Sequence, residues 1–289
     1  MSAGAPSNTA EVHRRVQSAV FGDTAVVEVP ADVVESATDF AHVMAQSGQS
    51  GPYYSKYRNA PASKVPLNEK EAKIAEWAVA KFLKERYDFP ETHVDWEIRT
   101  GEAKGWRTDL KYPEPYPDVH VKSTSLMAGG QPSWLFQYSN NTGHGGTDPL
   151  FLRIKGFAAD VFFDTFYIVG KWTVDDVYQD LIVLVFVPPD QLHVVGKPIK
   201  VYIKSIVWWK EVVEKSLLRQ PYTPRYRGIK LALYYNDLLR NFPLLGLEQK
   251  LSDSPTGELP SQKSVGPDLT PKPAGVDNLT DWLIRKGHK

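Results

Sequence analysis

NEKEAKIAEWAVAKFLKERY, residues 68–87, is a run of helix-forming residues with no Gly or Pro inside it, and Asn68 is a good N-cap residue. Beyond this predicted helix the hydrophobic period shortens from about 3.6 residues to about 2, as expected for strands. Three short strands are predicted next, over residues 94–100, 106–112 and 118–123, and tight connections would join them into a meander. A long helix followed by short strands predicts a fold that mixes α and β elements.

The rest of the chain to residue 250 predicts further elements of ordinary length. Residues 181–187, LIVLVFV, are uniformly apolar and predict a central strand buried on both faces. The other predicted elements are helices over residues 11–20, 30–44, 206–218 and within 228–242, and strands over 24–29, 133–138 and 161–172. Together they predict an α/β (α+β) fold, a central mixed β-sheet flanked by helices, in one domain over residues 1–250.

The composition changes sharply after the predicted domain. Residues 252–275 contain five Pro, three Gly and four Ser, so residues 251–276 are predicted to be a flexible linker. Residues 277–289 form a short amphipathic C-terminal segment, and a helix is predicted over 277–285. A helix that short is marginal alone, so its apolar face needs a surface: the parent domain, a second copy of the chain, or a protein partner.

The overall composition excludes several classes of protein. The 289 residues include 34 Lys and Arg, 34 Asp and Glu, and no Cys. The zero formal charge argues against a protein that coats DNA along its whole surface. The absence of Cys excludes disulfides, thiolate zinc sites and thiol nucleophiles. The first ten residues contain no apolar signal segment, and the longest apolar run is too short to cross a bilayer, so we expect a cytoplasmic protein without membrane contact.

The residue pattern that carries chemistry lies within residues 68–137. Asp109 falls in the second predicted strand, and His120 and Lys122 fall in the third. Strand alternation places His120 and Lys122 on one face, so a carboxylate, an imidazole and an amine can converge. Such a group could hold a divalent cation between Asp109 and His120 and direct an ammonium at a water or a phosphate oxygen. Phosphodiester hydrolysis requires these components.

At these residues the sequence resembles the PD-(D/E)XK nuclease superfamily. The hairpin match is TDL at 108–110 and VHVKS at 119–123, and on the preceding helix Glu76 is followed by apolar residues three, four and seven positions later. The resemblance implies a restriction-endonuclease-like fold and a metal-dependent nuclease that hydrolyses DNA with Mg²⁺ or Mn²⁺. It further implies an endonuclease of restriction or phage type.

The same resemblance assigns roles to individual residues. Glu76, Asp109 and His120 would bind the cation together with the backbone carbonyl of Val121, and Lys122 would orient or activate the attacking water. His120 stands where the family has an acidic residue. Imidazole prefers metal ions softer than Mg²⁺. A His at this position therefore implies that His120 is a substitute ligand, that the site prefers Mn²⁺, or that the site is inactive.

Two other acidic residues compete for the same roles. Glu71 lies on the inward arc of the predicted helix, although Asn68 and Glu71 also fit a capping box. Asp118 has the strand parity of His120 and could supply a carboxylate in another register.

Positive charge is concentrated in residues 197–230, which hold nine Lys or Arg and two acidic residues, interleaved with aromatic residues. This pattern suits phosphate contacts and base stacking, so a nucleic-acid surface is predicted here, with DNA favoured and RNA left open. The candidate contacts are Lys200, Lys204, Lys210, Arg225 and Arg227. A catalytically inactive nuclease-fold module that binds nucleic acid or a protein partner is the alternative function, and a homodimer is compatible with either.

Overall fold

The computed structural model describes residues 8–46, 65–96, 108–139, 180–215, 217–218 and 229–246. These residues form a mixed α/β structure in which a mixed β-sheet is flanked by helices. The helices are α1 (Thr9–Arg15), α2 (Ala31–Gln46), α3 (Val65–Tyr87), α4 (Trp209–Glu214) and α5 (Tyr235–Asn241), and Gln191–His193 forms a 3₁₀ turn. The strands are β1 (Ala19–Val20), β2 (Val26–Val29), β3 (Val119–Thr124), β4 (Met127–Ala128), β5 (Gln131–Ser139), β6 (Leu181–Phe186), β7 (Ile199–Trp208) and β8 (Ile229–Tyr234). No helix in these ranges is both long and apolar enough to cross a membrane.

The main sheet is built around β6 and β7. β7 pairs antiparallel with β1 and β2 on one side and with β6 on the other, and β3 adds to β6 in parallel. The first five residues of β6 are buried, as predicted for residues 181–187. Burial on both faces is possible because alternate residues of β6 enter two different cores.

One face of the main sheet is covered by α1, α2 and α3. Ile74, Ala75 and Ala78 of α3 are fully buried against this face, where the small Ala side chains let the helix approach the strands. α3 contacts β3 most extensively among the strands, so the helix lies above the region that carries the predicted site residues. The helix ends at Tyr87, and the next residue, Asp88, adopts a positive φ of 55°, a conformation that Asp tolerates better than most residues.

A second, three-stranded sheet, β4–β5–β8, lies on the opposite face with α4 and α5. Trp134 of β5 is fully buried and donates its indole N–H to the carbonyl of Val185 in β6 at 3.0 Å. This bond connects the two sheets across the second core.

Several predicted elements differ from the structure. α3 begins at Val65 with Pro66 in its first turn, so Asn68 lies inside the helix and the predicted N-cap is wrong. The predicted meander is also wrong in the described residues, because 94–96 and 108–112 form no strand and β3 pairs with the distant β6. Leu110 makes an isolated antiparallel bridge to Val119. The Pro residues between them provide no N–H groups for a longer ladder.

The predicted helix over residues 206–218 is shorter than expected, because β7 continues through Trp208 and α4 ends at Glu214. Residues 228–242 contain β8 before α5. The helix predicted over 11–20 is confirmed only through Arg15, where α1 ends, and Ala19–Val20 form β1 instead. The elements predicted over 24–29, 30–44 and 133–138 are confirmed with shifted ends. The strand predicted over 161–172, the linker 251–276 and the segment 277–289 lie outside the described residues.

Candidate metal and catalytic site between α3 and β3

Glu71 is a buried carboxyl group on the face of α3 that meets β3. Burial raises the pKa of Glu71, while hydrogen bonds from the Ser125 and Ser123 side chains partly oppose that rise. The side chain therefore points inward toward the sheet, and the capping-box interpretation with Asn68 is wrong. Its hydroxyl partners on the β3 side make Glu71 a connection between helix and sheet.

Glu76 lies on the same helix and is also buried, with 9% of its surface exposed. Burial raises the pKa of Glu76 to about 7, and the nearby charges of Asp109 and Asp95 act in the same direction. The ammonium of Lys73 opposes this rise and lies 2.7 Å from a Glu76 carboxylate oxygen. Glu76 is thus a carboxyl group that ionises near neutrality beside a second acidic group and an amine.

Asp109 is held by its neighbours against the edge of β3 that lies away from β6. Leu110 and Val119 exchange two backbone hydrogen bonds, and the Thr108 hydroxyl donates to the Val119 carbonyl at 2.9 Å. The Asp109 carboxylate accepts the backbone N–H of Val121 at 2.7 Å. Because the N–H and C=O of one strand residue point to the same side, the Val121 carbonyl lies at the same edge. The structure therefore brings Glu76, Asp109 and Val121 into one region.

His120 and Lys122 lie on the other face of β3, as strand alternation requires. The imidazole Nε2 of His120 is 3.2 Å from a carboxylate oxygen of Asp180, and both side chains are almost completely buried. The ammonium of Lys122 sits over the Phe136 ring, 5.5 Å from its centroid. The structure does not bring His120 or Lys122 to the carboxylates of Glu76 and Asp109.

Two residues of this region were not predicted from the sequence. Lys73 supplies an amine on the side of the carboxylates, and the signal for it was its position three residues before Glu76 on one helix. Asp180 is the partner of His120, and the signal was an acidic residue immediately before a buried strand. Asp118, the alternative carboxylate, shares the strand parity of His120 and precedes β3.

The donor set determines which cation the region suits. Among the described residues no group of three or more His, Cys, Asp or Glu side chains could hold a metal ion. Two carboxylates and a backbone carbonyl are hard oxygen donors, and Mg²⁺ characteristically takes one or two carboxylates and keeps several waters. Glu76, Asp109 and the Val121 carbonyl fit such a cation, whereas His120 is engaged elsewhere.

The residues predicted to contact nucleic acid differ in their exposure to solvent. Lys200 is exposed on β7, whereas Lys204 is buried, paired with Asp23 and bonded to the Gly22 carbonyl at 3.2 Å. Lys210 is partly buried in α4. Arg225 and Arg227 lie outside the described residues.

A scan against protein-family models and searches of the curated proteins and of the solved structures found no match to this chain. Among the described residues, the convergence of Glu76, Asp109 and the edge of β3 is the feature that bears most directly on function.

Proposed function

We propose that this chain is a metal-dependent nuclease of the PD-(D/E)XK type that hydrolyses DNA phosphodiester bonds. The observation that carries the proposal is the position of Glu76 and Asp109, two carboxyl groups from a helix and a strand-edge segment, beside Val121 of β3. A mixed sheet flanked by helices is compatible with a restriction-endonuclease-like arrangement. Mg²⁺ is the expected cation, with Mn²⁺ as a substitute.

In this proposal the cation is held by the Glu76 and Asp109 carboxylates and the Val121 carbonyl. A bound divalent cation would neutralise charge on the scissile phosphate and acidify a water. The Val121 N–H fixes one Asp109 oxygen, and in this proposal the other oxygen binds the cation. Since the pKa of Glu76 is raised to about 7, cation binding near neutrality is coupled to loss of its proton.

The structure changes which amine we expect to assist the reaction. Lys122, the residue implied by the motif, contacts Phe136 on the opposite face of β3. Lys73 lies beside Glu76 and is mostly buried, with 13% of its side chain exposed. We therefore infer that Lys73 stabilises charge on the phosphate or positions the attacking water.

Cleavage of supercoiled plasmid DNA tests the proposal. Wild-type protein should cleave with Mg²⁺ or Mn²⁺, and Asp109→Asn should lose activity by roughly 100-fold or more, the scale for removing a group that stabilises a transition state. Lys73→Met should lose a comparable factor, while Lys81→Met, a matched control on the same helix that contacts Trp77, should not. Full activity in Asp109→Asn would remove this site from the mechanism. Loss in Lys122→Met but not in Lys73→Met would return the role to Lys122.

One observation favours the alternative of a non-catalytic module on the same fold. His120, at the position where the motif has an acidic ligand, is buried in a pair with Asp180 and lies away from Glu76. A protein that binds DNA but cleaves it with neither Mg²⁺ nor Mn²⁺ would support this second function and contradict the first.

A further inference from the structure

An open pocket of about 590 Å³ lies on the main sheet, on the face that also carries the second sheet. Its lining residues come from the loop before β2, from β2, from the end of β6 and from the start of β7: Asp23, Val26, Phe186, Pro188, Lys200 and Tyr202. On β6, Ile182 and Leu184 are buried in the second core, whereas Phe186 is partly exposed. The pocket is therefore a part of the sheet face that continues beyond the second core.

The floor of this pocket is aromatic. Phe186 and Tyr202 are cross-strand partners, with ring centroids 6.5 Å apart and planes inclined by 46°. The ammonium of Lys204 lies 5.3 Å from the Tyr202 centroid and 5.8 Å from that of Phe186. Lys204 is itself fixed by the Gly22 carbonyl and by Asp23. Because the two rings are held by a buried cation, stacking a ligand on them costs little side-chain entropy.

The rim of the pocket carries charges of both signs. Lys200 is exposed, and its backbone N–H donates to the Gln191 side chain at 3.3 Å, which fixes the start of β7. The Asp23 side chain is 82% exposed, and it can accept hydrogen bonds in addition to its contact with Lys204. Glu28 is the cross-strand neighbour of Lys200, so the positive charge is local and does not extend along the strand.

We propose that this pocket binds a nucleotide. The base stacks on Tyr202 and Phe186, its exocyclic amine donates to the Asp23 carboxylate, and the phosphate pairs with the Lys200 ammonium. A planar ring, an amino group and an adjacent anion are the features that this combination of groups recognises. The nucleotide is either free in solution or an unpaired residue of single-stranded DNA, and both present the same chemistry. The site is separate from Glu76 and Asp109 and does not depend on cleavage.

Two probes in EDTA test this site: AMP by isothermal titration calorimetry, and a fluorescein-labelled single-stranded decadeoxyadenylate by anisotropy. Tyr202→Leu should weaken binding by roughly 5- to 150-fold, the range for loss of one base–aromatic stack. Tyr202→Phe should bind like the wild type. Lys200→Ala should weaken binding and flatten its salt dependence, whereas Lys197→Ala, an exposed lysine outside the lining, should not.

These measurements show whether the ligand is a free nucleotide or single-stranded DNA. They also distinguish failure of the pocket proposal from failure of the proposed nuclease site. Binding of the decanucleotide alone assigns the site to single strands, and binding of AMP as well assigns it to free nucleotides; both support the pocket. Asp109→Asn should bind both probes like the wild type even where cleavage is lost. If neither AMP nor the decanucleotide binds, the proposal is overturned. Unchanged affinities in Tyr202→Leu and Lys200→Ala, at unchanged melting temperature, would overturn it too.

Discussion

At the scale of single residues, Glu76 couples stability to pH. Its pKa is about 7 in the folded protein against an ordinary value of 4.5. The folded state therefore binds more protons than the unfolded state within this interval. The stabilisation is fully present below pH 4.5 and is lost as the pH rises through about 7. Burial raises the pKa of Glu71 as well, so both carboxyl groups act with the same sign.

We predict that Glu76→Gln flattens the decline in the free energy of unfolding between about pH 4.5 and 7. At pH 8 the variant should be more stable than the wild type, with an upper bound on the order of 3 kcal/mol from the linked proton. Urea denaturation at several pH values measures this difference. Glu85→Gln, an exposed position on the same helix, is the control and should follow the wild type. An unaltered pH slope in Glu76→Gln would show that this carboxyl group is not buried as described.

The pair of His120 and Asp180 gives a second residue-scale prediction. Removing one member deprives the other of a buried hydrogen-bond contact, which costs about 3–5 kcal/mol in comparable buried pairs. His120→Ala and Asp180→Ala should each destabilise the protein on this scale, and the double variant should cost less than their sum. A thermodynamic cycle from denaturant unfolding measures the coupling, and additive effects would exclude a direct interaction.

The same pair changes an expectation drawn from the motif. The motif has an acidic residue at position 120, so the resemblance implies that His120→Glu would restore a hard oxygen ligand for Mg²⁺. In the structure, however, a Glu at this position would lie beside the Asp180 carboxylate in a buried site. His120→Glu should therefore reduce stability, because two buried like charges repel each other.

At the scale of elements, Trp134 joins the second sheet to β6. We predict that Trp134→Phe destabilises the fold by about 1–3 kcal/mol, because the Val185 carbonyl loses its indole donor and a buried ring shrinks. Trp77→Phe serves as a comparison, since Trp77 is only partly buried on α3 and its loss should cost less. Denaturant midpoints measure both variants. Equal and small losses of stability in Trp134→Phe and Trp77→Phe would mean that the Trp134 hydrogen bond contributes little to holding the two sheets together.

Some elements were predictable from local sequence and others were not. The helix over 68–87 and the strand over 181–187 follow from periodicity and apolar content, which need no knowledge of distant residues. The pairing of β3 with β6 joins residues about 60 positions apart in parallel, and no local signal encodes it. The predicted start of a helix at Ile206 is wrong, because β7 continues through Trp208. Ile206, Val207 and Trp208 are β-branched or aromatic residues, which favour strands.

At the scale of the whole molecule, two cores on opposite faces of one sheet account for the position of each candidate residue. Glu76 lies on the three-helix side with Asp109 near it at the edge of β3, while His120 and Lys122 lie on the side of the second sheet. Alternation along β3 predicted that His120 and Lys122 share a face, and the structure confirms this. The sequence could not show which face looks toward α3, because that depends on the tertiary packing of both cores.

Mn²⁺ binding, measured by isothermal titration calorimetry, tests the cation site most directly because it requires no cleavage. Wild-type protein should bind one Mn²⁺ with release of a fraction of a proton near pH 7, since the pKa of Glu76 is about 7 and its carboxyl group is partly protonated there. Asp109→Asn should weaken Mn²⁺ binding at least about tenfold. Loss of an outer-shell hydrogen-bonding partner already costs about that much, and Asp109 is proposed as a direct ligand. Asp118→Asn, a carboxylate with the strand parity of His120, should bind like the wild type. Absence of Mn²⁺ binding, or equal affinity in the wild type and Asp109→Asn, would contradict a cation site at Glu76 and Asp109.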